Sequence, residues 1–201
     1  VFSIIPITPV KGATLDCGES GSTLRFLMSV AAVLGADATF VGGGKLPQRP
    51  MGDLCNVLAE HGISFEKHSA DELPVTCKGM LEGGRYSLPG NISSQYLTGL
   101  LFALPLAKED SEIEVTGVMT SASYIAMTLD ALKIAGIEIE QRGNIFRIKG
   151  GQQYRMPSSV TVEGDWSSAA FWVVAGVTGK NPITLCGMNN SSLQGDSKVI
   201  D

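Results

Sequence analysis

The chain has 201 residues, of which 44% are hydrophobic and 17% charged, a composition typical of a folded globular protein. Its net charge of -5 disfavours nucleic acid or an anionic membrane surface as the main partner, because both require a basic face. No apolar run reaches the roughly 18 residues of a transmembrane helix, and the start has no signal-peptide pattern, so we expect a soluble, cytoplasmic protein without membrane partners.

Cysteine and histidine usage argues against a metal site. The four cysteines lie far apart and show no C-x-x-C spacing, which favours reduced thiols over zinc: Cys17, Cys55, Cys77 and Cys186. Only two histidines are present, and His61 is predicted at a helix end. We therefore predict no metal and no histidine-based catalytic triad.

Three segments share a pattern in which glycine, small polar residues and then an apolar helix follow one another. They read GESGSTLRFLMSVAAVLGAD from Gly18, GNISSQYLTGLLFALPLAKE from Gly90 and GDWSSAAFWVVAGVTGKN from Gly164. The three glycines are separated by 72 and 74 residues, and Gly62 and Gly136 end two further helices with a similar spacing. The chain is therefore predicted to repeat a unit of roughly 73 residues.

Each unit has the same predicted order of elements. The apolar helix leads to an alternating strand, at residues 38–42, 112–117 and 183–187, and then to a second helix, at residues 50–61 and 124–135. Strands begin after Gly62 and Gly136, and further strands are predicted at residues 74–79, 83–88, 145–150 and 158–164. The unit is thus βαβαββ or a permutation of it.

The distribution of apolar residues predicts an inside-out α/β fold. The first helix of each unit is apolar on nearly every side, whereas strands such as Glu112–Val115 alternate. A helix that is apolar all round is buried, and a strand with one polar face lies outside. We expect buried parallel helices surrounded by sheets, with Trp166 and Trp172 in packing roles.

The polar residues at the heads of these helices are candidates for anion binding. A helix N-terminus carries about half a positive charge and several unpaired N–H groups, which suit an anion. Capping alone also explains Ser or Gly at such positions. Arg49, between two prolines in LPQRPMGDL, offers a fork for carboxylate or phosphate, and Ser121, Ser123 and Tyr124 are expected to precede a second helix.

Five ordered motifs resemble the 3-phosphoshikimate 1-carboxyvinyltransferase family, also called 5-enolpyruvylshikimate-3-phosphate synthases. They are GESGSTLRF, LPQRPMGDL, GNISSQYLTGLLFALPLA, SYIAMTLDALKIAGIEIE and VEGDWSSAAFW. The resemblance implies two lobes built of inside-out βαβαββ units. It also implies transfer of the enolpyruvyl group of phosphoenolpyruvate to the 5-hydroxyl of shikimate 3-phosphate, in the shikimate pathway of aromatic amino-acid biosynthesis, with phosphate released and no cofactor.

The resemblance also implies roles for individual residues. Binding of shikimate 3-phosphate falls to a group at two helix heads: Ser93, Ser94, Gln95, Ser121 and Tyr124. Phosphoenolpyruvate would contact Gly21, Arg49 and Gln95, while Arg25 and Asp165 are further candidates. The chain departs from many members at Glu19, Ser20 and Phe26, and an acidic Glu19 near an anion site bears on substrate affinity.

The resemblance covers the middle of such an enzyme. Residues 1–162 are predicted to form most of the first, phosphate-binding lobe without its N-terminal segment, and residues 163–201 the truncated start of the second. The family's acid and base residues fall outside the chain, so we predict no catalytic residue within it, an inactive fragment and a monomer. Two alternatives remain: a UDP-N-acetylglucosamine enolpyruvyl transferase, and a non-catalytic phosphoester-binding repeat domain.

Overall fold

The computed structural model describes residues 3, 5, 8, 10–90, 93–119 and 121–200. The first repeat follows the predicted order, with a short 3-10 turn at Leu46–Gln48 before its second helix. Its elements are β1 (Thr14–Asp16), α1 (Gly21–Val33), β2 (Thr39–Val41), α2 (Gly52–Ala59), β3 (Ile63–Lys67) and β4 (Val75–Gly79). They form a four-stranded sheet of order β1-β2-β4-β3, in which only the β1–β2 pair is parallel.

The second repeat has the same topology. Its elements are β5 (Arg85–Pro89), α3 (Ser94–Ala103), β6 (Ser111–Thr116), α4 (Ala122–Ile134), β7 (Ile139–Arg142) and β8 (Ile145–Ile148). The sheet order is β5-β6-β8-β7, again with one parallel pair, β5–β6. The βαβαββ prediction is therefore confirmed for two units, and the strand predicted at residues 83–88 opens the second unit rather than closing the first.

Helices lie inside and sheets outside in these two units. In β6, Ile113 and Val115 are buried while Glu114 is exposed, because successive side chains of a strand point to opposite faces. The buried faces cover α1 and α3, which pack against each other. Gly99 permits this contact, since a Cβ there would lie 2.7 Å from the carbonyl oxygen of Arg25.

His61 and Tyr86 join the two repeats. His61 follows α2, and its Nδ1 and Nε2 atoms lie 2.9 Å and 3.0 Å from the carbonyl oxygens of Val57 and Arg85. Its ring stacks on that of Tyr86, with 3.7 Å between centroids. The predicted helix-end position is correct, and the histidine has a packing role between α2 and β5.

The third repeat departs from the prediction. Its helix α5 forms at Trp166–Thr178, but residues 158–164 and 183–187 make no strand, because neither segment has a ladder partner in the described part of the chain. Trp166 is buried, whereas Phe171 is 79% and Trp172 59% exposed. The packing role predicted for Trp172 is therefore wrong in this structure, and much of the apolar surface of α5 remains uncovered.

A polar network holds the start of α5 against the segment that follows it. Glu163 accepts hydrogen bonds from the Ser192 hydroxyl at 2.6 Å and from the Gln194 amide at 2.9 Å. Gln194 in turn accepts the backbone N–H of Trp166 at 2.8 Å, and the Trp166 indole donates to the Asn189 carbonyl. These side-chain contacts define this region in the absence of a sheet.

All four cysteines are free thiols, as the sequence predicted. Burial raises the pKa of Cys55 to about 11 and that of Cys77 to about 12. None of the helices in the described residues combines the length and the apolar character that crossing a bilayer requires.

Candidate functional site

The N-terminus of α1 is shaped by Ser20 and Gly21. Ser20 caps the helix: its hydroxyl accepts the backbone N–H of Thr23 at 3.2 Å. Gly21 comes next, and a Cβ there would lie 2.9 Å from Nη1 of Arg25 and 3.2 Å from Nη1 of Arg49. Two guanidinium groups thus approach one backbone position, which a side chain would obstruct.

Arg25 is buried, with 9% of its surface exposed. Its Nη1 donates to Oε1 of Gln95 at 2.5 Å, its Nη2 lies 3.4 Å from the Pro50 carbonyl oxygen, and its Cζ lies 5.4 Å from the centre of the Tyr96 ring. Its buried Nε has no hydrogen-bond partner in the part of the chain that the structure describes. A neutral amide, a carbonyl and an aromatic ring therefore surround this charge.

Arg49 reaches the same place from the loop before α2. A short 3-10 helix at Leu46–Gln48, which contains Pro47, precedes Arg49. The backbone N–H of Arg49 donates to the Leu46 carbonyl at 3.1 Å and closes this helix. Among the described residues, no carboxylate oxygen lies within 4.0 Å of a guanidinium nitrogen of Arg25 or Arg49. Two unpaired positive charges beside a helix N-terminus form a favourable environment for an anion.

Gln95 links the heads of α1 and α3. Besides the bond from Arg25, its Nε2 donates to the Ser22 hydroxyl at 2.9 Å. The structure therefore brings together Gly21, Arg25, Arg49 and Gln95, four of the residues singled out by the sequence. Ser22, Tyr96 and the Pro50 carbonyl complete the cluster and were not predicted. Of these three, only Ser22 had a signal in the sequence, because it follows Gly21 directly in the repeated motif.

Ser93 and Ser94 lie at the head of α3. Ser93 is the N-cap, and its hydroxyl accepts the Gln95 N–H at 3.4 Å, so the capping interpretation is correct for this residue. Both serines line a small cavity of about 20 Å³ together with Met119 and Ile125 from the α4 side. Residues 91 and 92 of the motif lie outside the described part of the chain.

Ser121 has a backbone conformation that caps seldom adopt. Its φ of 61° and ψ of 40° are left-handed, and its side chain makes no capping hydrogen bond. Helix α4 begins at Ala122, so Ser123 and Tyr124 lie inside the helix rather than before it. Tyr124 is 54% exposed. Strained residues concentrate at functional sites, which makes the Ser121 geometry informative.

α4 is attached to α3 by a pair of buried threonines. The Thr128 hydroxyl donates to the Tyr124 carbonyl at 2.8 Å and lies 3.0 Å from the Thr98 hydroxyl. Because Thr128 has one hydroxyl proton, Thr98 is the donor between the two threonines. This bond ties the helix that carries Ser121 and Tyr124 to the helix headed by Ser93.

Asp165 occupies the head of α5 and is bonded locally. Its carboxylate accepts the Ser168 hydroxyl at 2.6 Å and the N–H groups of Ser167 and Ser168 at 3.1 and 3.2 Å. The Ser168 hydroxyl, followed by these N–H groups, lowers the pKa of Asp165. This helix terminus is thus neutralised by its own carboxylate, whereas the first turns of α1 and α3 contain no acidic residue.

Glu19 packs against Gly44 in the glycine loop that follows β2. A Cβ at Gly44 would overlap the Glu19 carboxylate. The negative charge next to the Ser20 cap therefore lies over a loop without side chains.

A wider groove than the cavity beside Ser93 and Ser94 lies elsewhere, on the second repeat. It has a volume of about 1330 Å³ and is lined by β6, α4, β7 and β8. Two of its charged residues, Arg147 and Glu112, pair with each other at 2.9 Å. The lining as a whole contains more acidic than basic residues: Asp110, Glu112, Asp130, Glu138 and Glu140 against Arg85, Lys133, Arg147 and Lys149. It therefore does not favour an anion, and the candidate site is the cluster at the heads of α1 and α3.

Comparisons with known proteins point to one enzyme family. The family model of EPSP synthase (3-phosphoshikimate 1-carboxyvinyltransferase) matches residues 4–201. The 3-phosphoshikimate 1-carboxyvinyltransferase of Clostridium acetobutylicum is 43% identical over 188 residues, which are 93% of this chain and 44% of that protein. That of Brachyspira hyodysenteriae is 40% identical over 192 residues, or 95% of this chain and 44% of that protein.

A solved structure has the same fold. EPSP synthase from Acinetobacter baumannii superposes with a TM-score of 0.68 at 25% identity, over 82% of this chain and 36% of that one. The chain thus spans less than half the length of the curated relatives that it matches. On the match to residues 4–201, the chain belongs to the EPSP synthase (3-phosphoshikimate 1-carboxyvinyltransferase) family.

Proposed function

We propose that this chain supplies substrate-binding residues to an enzyme that transfers the enolpyruvyl group of phosphoenolpyruvate to the 5-hydroxyl of shikimate 3-phosphate. Phosphate is the other product. The observation that carries the proposal is the meeting of Arg25 and Arg49 at Gly21 on the α1 N-terminus, where neither has a carboxylate partner among the described residues.

The proposal includes two anion positions. Gly21 and Arg49 would hold phosphoenolpyruvate, since the fork of Arg49 suits a carboxylate or a phosphate. Ser93, Ser94, Ser121 and Tyr124 would hold shikimate 3-phosphate at the heads of α3 and α4. Gln95 lies between the two groups of residues and would contact both substrates.

The residues of this cluster are hydrogen-bond donors, so their contribution is binding and orientation. Enolpyruvyl transfer also requires a proton donor for the methylene carbon and a base for the attacking hydroxyl. Arg25, Arg49 and Gln95 offer neither group at neutral pH. We therefore propose that proton transfer is carried out by residues outside this chain, and that the chain alone does not turn over.

The division into lobes belongs to the same proposal. Residues 1–162 would form most of one lobe and residues 163–201 the start of a second. The uncovered apolar face of α5 supports this boundary, because such a surface is normally buried in a folded domain. We further propose a cytoplasmic, monomeric enzyme whose partners are small anionic substrates.

The test is calorimetry on the 201-residue chain with shikimate 3-phosphate, phosphoenolpyruvate and UDP-N-acetylglucosamine. Weak binding of the first two, decreasing as salt screens the charges, is expected. Preference for the UDP-sugar would favour the other enolpyruvyl transferase. Arg49→Lys should weaken phosphoenolpyruvate binding, because an ammonium group lacks the paired donors of guanidinium. Unchanged affinity in Arg49→Lys would contradict the assignment of this arginine.

Turnover distinguishes an enzyme from a binding domain. A phosphate-release assay on the complete protein should show activity, and the same assay on the 201-residue chain should remain at background. Release of phosphate by the chain alone would show that the proton-transferring groups lie within it.

A further inference from the structure

We propose that Arg25 is a positioning residue that fixes the side-chain amide of Gln95, so that Gln95 presents an N–H group and not its carbonyl oxygen to the substrates. The inference rests on the proposed function, because it specifies how Gln95 acts in that site. Its structural part can nevertheless be tested without any ligand.

The hydrogen bonds of Gln95 determine the orientation of its amide. A guanidinium has five donors and no acceptor, so the Gln95 atom 2.5 Å from Arg25 Nη1 must be the carbonyl oxygen. The amide nitrogen is then the atom 2.9 Å from the Ser22 hydroxyl. The side-chain nitrogen of Gln95 carries two hydrogens, and the Ser22 hydroxyl accepts one of them. The group left for a ligand is therefore one N–H.

Arg25 is itself held rigidly enough to impose this orientation. It is buried, its guanidinium lies over the Tyr96 ring, and the close approach of Gly99 fixes its backbone. The Pro50 carbonyl accepts from both Arg25 Nη2 and the Tyr96 hydroxyl, at 3.4 and 3.1 Å. Pro50 follows Arg49 directly, so the same arginine also holds the loop that carries Arg49.

The buried charge has a chemical consequence. A cation bonded to an amide oxygen polarises the amide and makes its N–H a stronger donor. Gln95 should then favour acceptor atoms, such as phosphate or carboxylate oxygens, and disfavour a donor facing it. In addition, the buried Nε of Arg25 has no hydrogen-bond partner among the described residues.

The first experiment follows the Gln95 side-chain amide by ¹⁵N NMR in the 201-residue chain without ligand. Arg25→Lys retains the positive charge but loses the fork that holds Gln95 and Pro50 together. We expect the Gln95 amide resonances to move toward those of an exposed glutamine. Arg142→Lys is the matched control, since Arg142 is exposed and pairs with Glu140. Unchanged Gln95 resonances in a folded Arg25→Lys protein would overturn the inference.

The second experiment titrates phosphoenolpyruvate into the wild type and a Gln95→Glu variant. Gln95→Glu keeps a partner for Arg25 but replaces the N–H group with a carboxylate that also repels an anion. Affinity should therefore fall by at least roughly 10-fold, the lower bound for losing a hydrogen bond to a charged group. Equal affinity of Gln95→Glu and the wild type would overturn the donor role. If the wild type binds no phosphoenolpyruvate, the proposed function fails, while the amide resonances still decide the role of Arg25.

In the complete enzyme, a positioning role predicts a defined kinetic pattern. Arg25→Lys should lower kcat/KM. Its thermal unfolding midpoint should be close to that of the Arg142→Lys control. If the loss of kcat/KM is accompanied by a clear fall in the unfolding midpoint relative to the Arg142→Lys control, Arg25 has only a structural role, which would contradict the inference.

Discussion

Gly99 of α3 lies directly against the backbone of Arg25 in α1. A Cβ at Gly99 would lie 2.7 Å from the Arg25 carbonyl oxygen and 2.9 Å from the Ser29 hydroxyl. The absence of a side chain at one position therefore sets the distance between the two helices that carry the candidate site. Gln95 of α3 reaches Arg25 and Ser22 of α1 across this contact.

The first prediction concerns Gly99→Ala. Ala favours helix by about 1 kcal/mol, but forcing a methyl group against a backbone oxygen costs about 1 to 3 kcal/mol, so we expect a net loss of stability. Gly176→Ala in α5 is the control, because its Cβ would meet Ile183 at an ordinary 3.5 Å. Urea unfolding should show lower stability for the first variant and not for the second. A Gly99→Ala protein as stable as the wild type would contradict the close packing.

The second prediction concerns the strained backbone of Ser121. Left-handed conformation costs a residue with a side chain about 1 to 2 kcal/mol, so Ser121→Gly should keep or raise stability. Ser121→Ala keeps the strain and removes only the hydroxyl. Both variants should weaken binding of shikimate 3-phosphate, and only Gly should relieve the strain. Undiminished binding by both would remove Ser121 from the site.

The third prediction is a pH dependence at Asp165. Its folded-state pKa is lowered by the Ser168 hydroxyl and the N–H groups of Ser167 and Ser168. The stabilisation is therefore complete above the unfolded pKa of about 3.9 and is lost as the pH falls through the lower folded value. Asp165→Asn still caps the helix but cannot ionise. The difference in the free energy of unfolding between the wild type and Asp165→Asn should therefore disappear in acid. A difference that stays constant from about pH 2 to 7 would refute the charge effect.

The fourth prediction concerns thiol reactivity. Because burial raises the pKa of Cys55 to about 11 and that of Cys77 to about 12, almost no thiolate forms at neutral pH. Cys186 is exposed. Mass spectrometry after brief iodoacetamide treatment should find Cys186 modified first and Cys77 only after unfolding. Modification of Cys77 in the native protein at the rate of Cys186 would show that β4 opens readily.

Periodicity predicted the order of elements in both complete repeats. The alternation in Glu112–Val115 and the nearly uniform apolar character of α3 are local properties, and they require burial of the helix and exposure of one strand face. The observed bounds of α2 and α4 differ from the predicted bounds, residues 50–61 and 124–135, by at most two residues at each end. The strands predicted at residues 158–164 and 183–187 failed because a strand also needs a neighbouring strand.

The candidate site shows the same division. The repeated glycine and serine motif placed Gly21 and Gln95 at helix heads, the proline-flanked loop made Arg49 a candidate for anion binding, and the family resemblance assigned substrates to all three. Neither could reveal that Arg25 meets Gln95, a residue 70 positions away, or that Pro50 accepts from Arg25. The Arg25–Gln95 pairing depends on the packing distance between α1 and α3, which the absence of a side chain at Gly99 allows. Local patterns therefore specified the helices and their polar ends, whereas helix packing decided which polar groups meet and which charges remain unpaired.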